Sequence, residues 1–178
     1  MTRKELREDI FKAVFERISL GEKNEFSLEL FRENKSVDEL AFFDLIVNGT
    51  EEKDSFLQKI IGRYAKDFAA TRLYKIDLSL LVFAVFEILF TSTPPKVAIN
   101  EALELLKIYS TEKSAQFVNG ILAAVLKDKD KLLKEYESPA AEEEQPPIQK
   151  QEEPKEEIEQ QEEAPKNTLW ISKGYKKK

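Results

Sequence analysis

The chain has 178 residues and contains neither cysteine nor histidine, which excludes disulfides, thiolate zinc sites and the usual Ser-His or Cys-His catalytic dyads. The opening residues are charged and the longest apolar runs fall short of the ~20 residues of a membrane span, so neither a secretory signal nor a membrane segment is expected, and a cytoplasmic setting is the plain reading. The formal net charge is −6, but ten Glu stand against two Lys between residues 142 and 163, so the acidity is concentrated late in the chain and does not argue against nucleic-acid binding by the rest.

Residues 1–136 carry apolar positions at helical spacing, with no strand alternation and no internal repeat, and are read as one all-α domain. The first helix opens at Thr2, where Thr2 and Glu5 form a T-x-x-E capping box. Leu6, Ile10, Ala13, Val14 and Ile18 give it an apolar stripe, and Gly21 ends it. A second helix is expected over roughly Leu28 to Arg32. A third starts at Ser36, with Glu39 three residues on, and stops at Gly49. A fourth starts at Thr50 and runs to about Asp67. The fifth, from about Ile76 to Phe90, is apolar on nearly all sides and predicts a central buried helix. Pro94 and Pro95 begin the sixth, where a missing N–H costs nothing. Ser110 or Thr111 caps the seventh, which is read as running past Lys127 to Tyr136. The expectation is therefore a compact bundle of about seven helices.

Residues 137–178 are rich in Pro, Glu and Gln and nearly free of apolar side chains. They cannot bury enough surface to offset the entropy of ordering and are read as a disordered tail. The tail ends in NTLWISKGYKKK, where Leu169, Trp170, Ile171 and Tyr175 accompany four lysines. That end is either a short linear binding motif or an extension whose aromatics carry no function. Its Glu-rich stretch offers a competitor for cations that would otherwise meet RNA.

Three polar residues stand in apolar settings: Glu87 in FAVFEILF, Asn100 in INEA and Asn119 in FVNG. Buried polar groups are nearly always hydrogen-bonded, and a lone buried carboxylate is expensive. At least two of the three are therefore expected in an interhelical network. Gly120, mid-helix, costs ~1 kcal/mol relative to Ala and is read as permitting close helix packing. Catalysis by Glu87 lacks a second acid nearby. No EF-hand spacing, HExxH or GxxxxGKS/T occurs, so no metal site and no cofactor are expected, and the chain is read as not an enzyme.

Several segments together resemble one family. TRKELREDIFKAVF opens with basic residues and continues as an apolar-aromatic helix. RLYKIDLSLLVFAVFEILF is similar to the pattern RL-x-x-V/I-D-x-x-I/L-L-x-x-A-x-Y/F-E-I/L-L. PPKVAINEALELLK and STEKSAQFVNGIL follow in order. Each is a common helical pattern alone; together, from the start of the chain to about Lys127, they resemble the NusB family of transcription antitermination factors. The resemblance implies a fold of two helical subdomains. It implies a role in antitermination and ribosomal RNA synthesis, on boxA-like single-stranded RNA, together with NusE (a small-subunit ribosomal protein) and the transcription elongation complex. The same fold occurs in some RNA cytosine-5 methyltransferases, but nothing here resembles their cofactor-binding domain.

The resemblance also implies site residues. The basic start of the first helix supplies Arg3, Lys4 and Arg7 as RNA contacts. Arg3 and Arg7, four apart, share a side of the first two turns. Cations there oppose the helix dipole, which favours a phosphate role over plain surface charge, although Glu5, Glu8 and Asp9 dilute the patch. Three such contacts give a salt slope of about −2, so weak binding without a partner is expected. The turn STEKSAQF is the second RNA region, with Lys113 and Gln116 as candidates. It lacks the family's acid, imidazole and second lysine. Phe117 is read there as a core residue. Asp77 matches an acidic position of the partner-binding region, and a carboxylate at that helix start is equally favoured by the dipole. The rival to the adapter reading is a helical protein-interaction module, homodimeric in one version, with weak or lost RNA binding.

Overall fold

The computed structural model describes residues 1–65 and 73–138, and its described elements are all helical. Helix α1 spans Arg3–Leu20, α2 Glu25–Arg32, α3 Val37–Glu52, α4 Asp54–Tyr64, α5 Lys75–Phe90, α6 Pro95–Tyr109, α7 Glu112–Lys127 and α8 Lys129–Glu137. The readings of the tail and of residues 66–72 lie outside the described residues.

The local stop and start signals act as the sequence implies. The Thr2 side chain accepts from the Glu5 N–H, and Glu5 answers at the Thr2 N–H. Ser36 and Glu39 form the same reciprocal box on α3. Gly21 adopts φ 80°, the left-handed conformation that closes α1, and only glycine takes it without a Cβ penalty. Pro95 opens α6. Of the two candidate caps for α7 it is Thr111 that accepts, from the Ser114 N–H at 3.2 Å.

Helix α5 is the axis of the bundle. Every residue from Leu80 to Leu89 is buried, and α1, α3, α4, α6, α7 and α8 all pack against it. Leu6, Ile10 and Val14 of α1, Phe43 and Ile46 of α3, Leu57, Ile60 and Ile61 of α4, Leu105 and Leu106 of α6 and Leu122 and Val125 of α7 complete a single apolar core.

Three boundaries differ from the sequence reading. Helix α3 does not stop at Gly49, and Thr50 does not start a new helix; α3 continues to Glu52. Gly49 is a packing residue, because a Cβ there would stand only 2.2 Å from the Phe86 ring of α5. Thr50 is buried and its hydroxyl donates back to the Val47 carbonyl at 3.0 Å. Helix α2 begins earlier than expected, at Glu25, capped by Asn24, whose side chain accepts from the Ser27 N–H. The long seventh helix is two, broken at Asp128. The Asp128 carboxylate accepts from the Tyr64 hydroxyl at 2.6 Å. The break sends α8 back over the core with Leu132 fully buried. The described residues thus hold eight helices rather than seven.

Candidate RNA interface

The start of α1 places Arg3 and Lys4 on the surface and turns Arg7 inward. Arg3 lies over the ring of Phe42 on α3, at 5.4 Å from its centroid. Arg7 lies over the same ring at 5.5 Å, so the two do share a side of the helix. Their fates differ. Arg7 is 5% exposed and Glu87 is fully buried. The Arg7 Nε donates to both carboxylate oxygens of Glu87 at 3.1 and 3.3 Å, and its terminal nitrogen donates to Oε1 at 2.5 Å. The remaining nitrogen donates to the Arg3 carbonyl at 3.5 Å. Arg7 is therefore not a free surface cation, unlike Arg3 and Lys4 beside it. Its guanidinium neutralises the carboxylate of the central helix.

An open groove of about 550 Å³ lies beside this cluster, with Arg3, Phe42, Leu45, Thr93, Pro94 and Val97 among its walls. Leu45 and Val97 are 48% and 41% exposed. Asp38 and Glu101 also line it, so its charge is mixed.

The opposite flank of α1 faces α6. The Tyr109 hydroxyl donates to Glu8 at 2.6 Å, and Lys12 pairs with the same carboxylate at 2.8 Å. Lys12 first, and then Tyr109, hold the Glu8 carboxyl below its usual range. Lys4 adds a smaller attraction on Glu8 and on Glu104. Phe11 packs on Tyr109 with ring centroids 5.1 Å apart. These contacts fix the end of α6, and with it the turn into α7, beside the second and third turns of α1.

That turn carries the second set of candidates. Lys113 and Gln116 are exposed in the first turns of α7, while Ser114 is buried against the Thr111 cap. Phe117 packs against the core, as the sequence implies. Asp77 stands in the first turn of α5 but is 3% exposed. Its carboxylate accepts from the Ser110 hydroxyl at 2.6 Å. In the free chain this carboxylate is enclosed and already holds a hydroxyl donor. It ties the α6–α7 turn to the central helix.

Of the three polar residues expected in an interhelical network, only Glu87 behaves so. Asn100 and Asn119 are exposed. Ala98 and Ala102 of α6, and Val118, Ile121 and Leu122 of α7, take the inward positions around them. Gly120 is also exposed, and nothing lies within 4 Å of where its Cβ would stand, so it is not a packing glycine. With Gln116 and Ala123 these two residues of α7 share one exposed face at i, i+3, i+4 and i+7. Sequence reasoning missed Phe42, whose ring serves both arginines. No local signal marks it, because only the tertiary fold brings α3 to the start of α1. Lys12 was also missed, although its spacing from Lys4 through Glu8 was readable. Among the described residues there is no cluster of acids suited to a metal ion, and no helix is long and apolar enough to cross a membrane.

The model of the NusB family matches residues 4–127. The chain belongs to the NusB family. The transcription antitermination protein NusB of Finegoldia magna is 40% identical over 134 residues, which is 73% of this chain and 97% of that protein. Its counterpart in Clostridium novyi is 39% identical over 134 residues, 71% of this chain and 99% of that one. Among solved structures, NusB of T. maritima aligns with a TM-score of 0.67 at 31% identity, covering 75% of this chain and 98% of that one. A crystal structure of antitermination factors NusB and NusE in complex with dsRNA aligns with a TM-score of 0.61 at 26% identity, covering 70% and 96%. The NusB match ends at Lys127, so α8 lies beyond it.

Proposed function

We propose that this chain is an RNA-binding adapter in transcription antitermination and ribosomal RNA synthesis, without enzymatic activity, that binds boxA-like single-stranded RNA together with NusE within the elongation complex. One observation carries the reading within a NusB-family chain: the first turn of α1 presents two exposed cations, Arg3 and Lys4, where the helix dipole disfavours them. An aromatic ring and an open groove lie beside Arg3. Phosphate contact plus ring surface is the chemistry that holds single-stranded RNA.

Arg3 and Lys4 form one contact region and Lys113 and Gln116 a second. Backbone N–H groups at the start of α7 add to the second region. Arg7 and Asp77 serve the same surface from inside. Three exposed cations give a salt slope of about −2 for single-stranded RNA. Asp38, Glu101 and Glu104 nearby weaken the field. Binding by the isolated chain is therefore weak, and NusE supplies the remaining contacts. The alternative, an interaction module without RNA preference, is not favoured, since the relatives are antitermination proteins along nearly their full length.

The test is binding of boxA-like RNA, beside scrambled and duplex controls, with and without NusE at two salt concentrations. Cooperative, sequence-preferring and salt-sensitive binding that falls on Arg3→Ala and Lys4→Ala is the expected result. NusE binding without RNA discrimination would overturn the RNA role.

A further inference from the structure

We propose that Glu87 is a positioning residue for RNA recognition, acting through Arg7 to hold Arg3 and Phe42 in the geometry that receives a phosphate. The inference rests on the reading of the α1 start as an RNA surface.

Stability alone does not account for a fully buried Glu at the centre of α5. Buried ion pairs are often matched or bettered by apolar residues of similar volume, and every other α5 position from Leu80 to Leu89 is apolar. What the pair supplies, and an apolar pair would not, is direction. The Glu87 carboxylate grips the Nε edge of Arg7 through three contacts, and a fork held by both oxygens fixes the plane of the guanidinium. That plane lies over Phe42, and its outer nitrogen reaches the Arg3 carbonyl.

The pair also supplies charge cancellation. Arg3 and Arg7 both sit over one ring. Two bare guanidiniums on one ring would repel each other. With Arg7 neutralised by Glu87, Arg3 can keep its place on Phe42 and remain the free cation at the mouth of the groove. The carboxylate thus sets where a cation on another helix stands, although it touches no RNA itself.

The experiment uses the full chain and boxA-like RNA, with salt titration and thermal unfolding beside each binding curve. Arg3→Ala is expected to lower affinity about fivefold at low salt and to flatten the salt slope by about 0.7, the share of one phosphate. Glu87→Gln is expected to do the same, and Glu87→Gln with Arg3→Ala to be no worse than Arg3→Ala alone. Should Glu87→Gln unfold, Arg7→Met with Glu87→Met keeps the core apolar, and it is expected to fold and show the same RNA defect. A folded Glu87→Gln, or a folded double Met variant, that binds as the parent does overturns the inference. So does a Glu87→Gln variant that binds tighter with a steeper slope, which would mean that Arg7 had been withheld from RNA. If Arg3→Ala is itself neutral, the RNA reading of α1 falls and takes this inference with it. If Arg3→Ala is costly and Glu87→Gln is not, this inference alone falls.

Discussion

Truncating Arg7 to alanine is the sharpest test of the packing beneath the basic surface. Arg7 is 5% exposed, and its carboxylate partner among the described residues, Glu87, has no exposure at all. Removing the guanidinium leaves a buried charge without a counterion, and breaking such a pair costs ~3–5 kcal/mol. Whole-domain stability is only ~5–15 kcal/mol, so the loss is a large share of it. For a folded unit of this size each kcal/mol moves the midpoint by ~3–5 °C, which puts the expected fall in Tm at ~9–25 °C. Arg3→Ala is the control: an exposed cation whose truncation stays within ~0.5 kcal/mol. The assay is thermal unfolding followed by far-UV circular dichroism. An Arg7→Ala variant melting within ~3 °C of the parent would refute the buried pair. One practical consequence is that Arg3→Ala combined with Arg7→Ala does not measure RNA contact alone, because half of the combination acts on the fold.

The other predictions concern the glycines, a half-buried tyrosine and the acidic tail. Gly49→Ala drives a methyl into the Phe86 ring and should cost ~1–3 kcal/mol, whereas Gly120→Ala meets nothing within 4 Å and should stabilise α7 by up to ~1 kcal/mol; denaturant midpoints in the reverse order would show the two roles exchanged. Burial, and then the hydrogen bond to Asp128, push the Tyr64 phenol up to about 12. Its folded pKa lies above the unfolded value, so the stability it lends is complete below pH ~10 and is lost as the pH climbs through about 12. Tyr64→Phe should flatten that alkaline loss and cost ~1 kcal/mol at neutral pH, and an unchanged alkaline profile would count against the assignment. Ending the chain at Ser138 removes ten Glu and seven Lys, a segment of net charge −3 that repels a polyanion. Affinity for RNA should rise at low salt and converge with the full chain as the Debye length shortens to ~8 Å at 0.15 M; equal affinity at low salt would dismiss the effect.

What the sequence made legible and what it hid divide along a physical line. Thr2 with Glu5, Ser36 with Glu39, Gly21 and Pro95 work through hydrogen bonds or backbone angles within a few residues, and all four were readable. Gly49 was misread as a stop because a glycine that ends a helix and one that admits a ring look alike in one dimension. Only the approach of Phe86, 37 residues away, separates them. The break at Asp128 was invisible for the same reason, since Tyr64 holds it from 64 residues away. Asn100 and Asn119 were placed inside because their neighbours are apolar, but on a helix the neighbours at i±1 and i±2 do not share a residue's face.

Arg7 is the most instructive case, because both halves of its interaction stand out in the sequence. Glu87, set in an apolar helix, demands a cation; Arg7, one turn after Arg3, reads as an exposed RNA contact. The 80 residues between them hid the match. Once joined, they change the character of the basic patch. A patch of independent surface cations would lose RNA affinity in steps, one for each charge removed, and would ignore the core. Here the free cation Arg3 leans on Phe42, Phe42 is shared with Arg7, and Arg7 is held by Glu87. Substitutions deep in α5 that leave the chain folded should therefore behave as RNA-binding variants, while Lys4, outside this chain of contacts, should lose only its own increment.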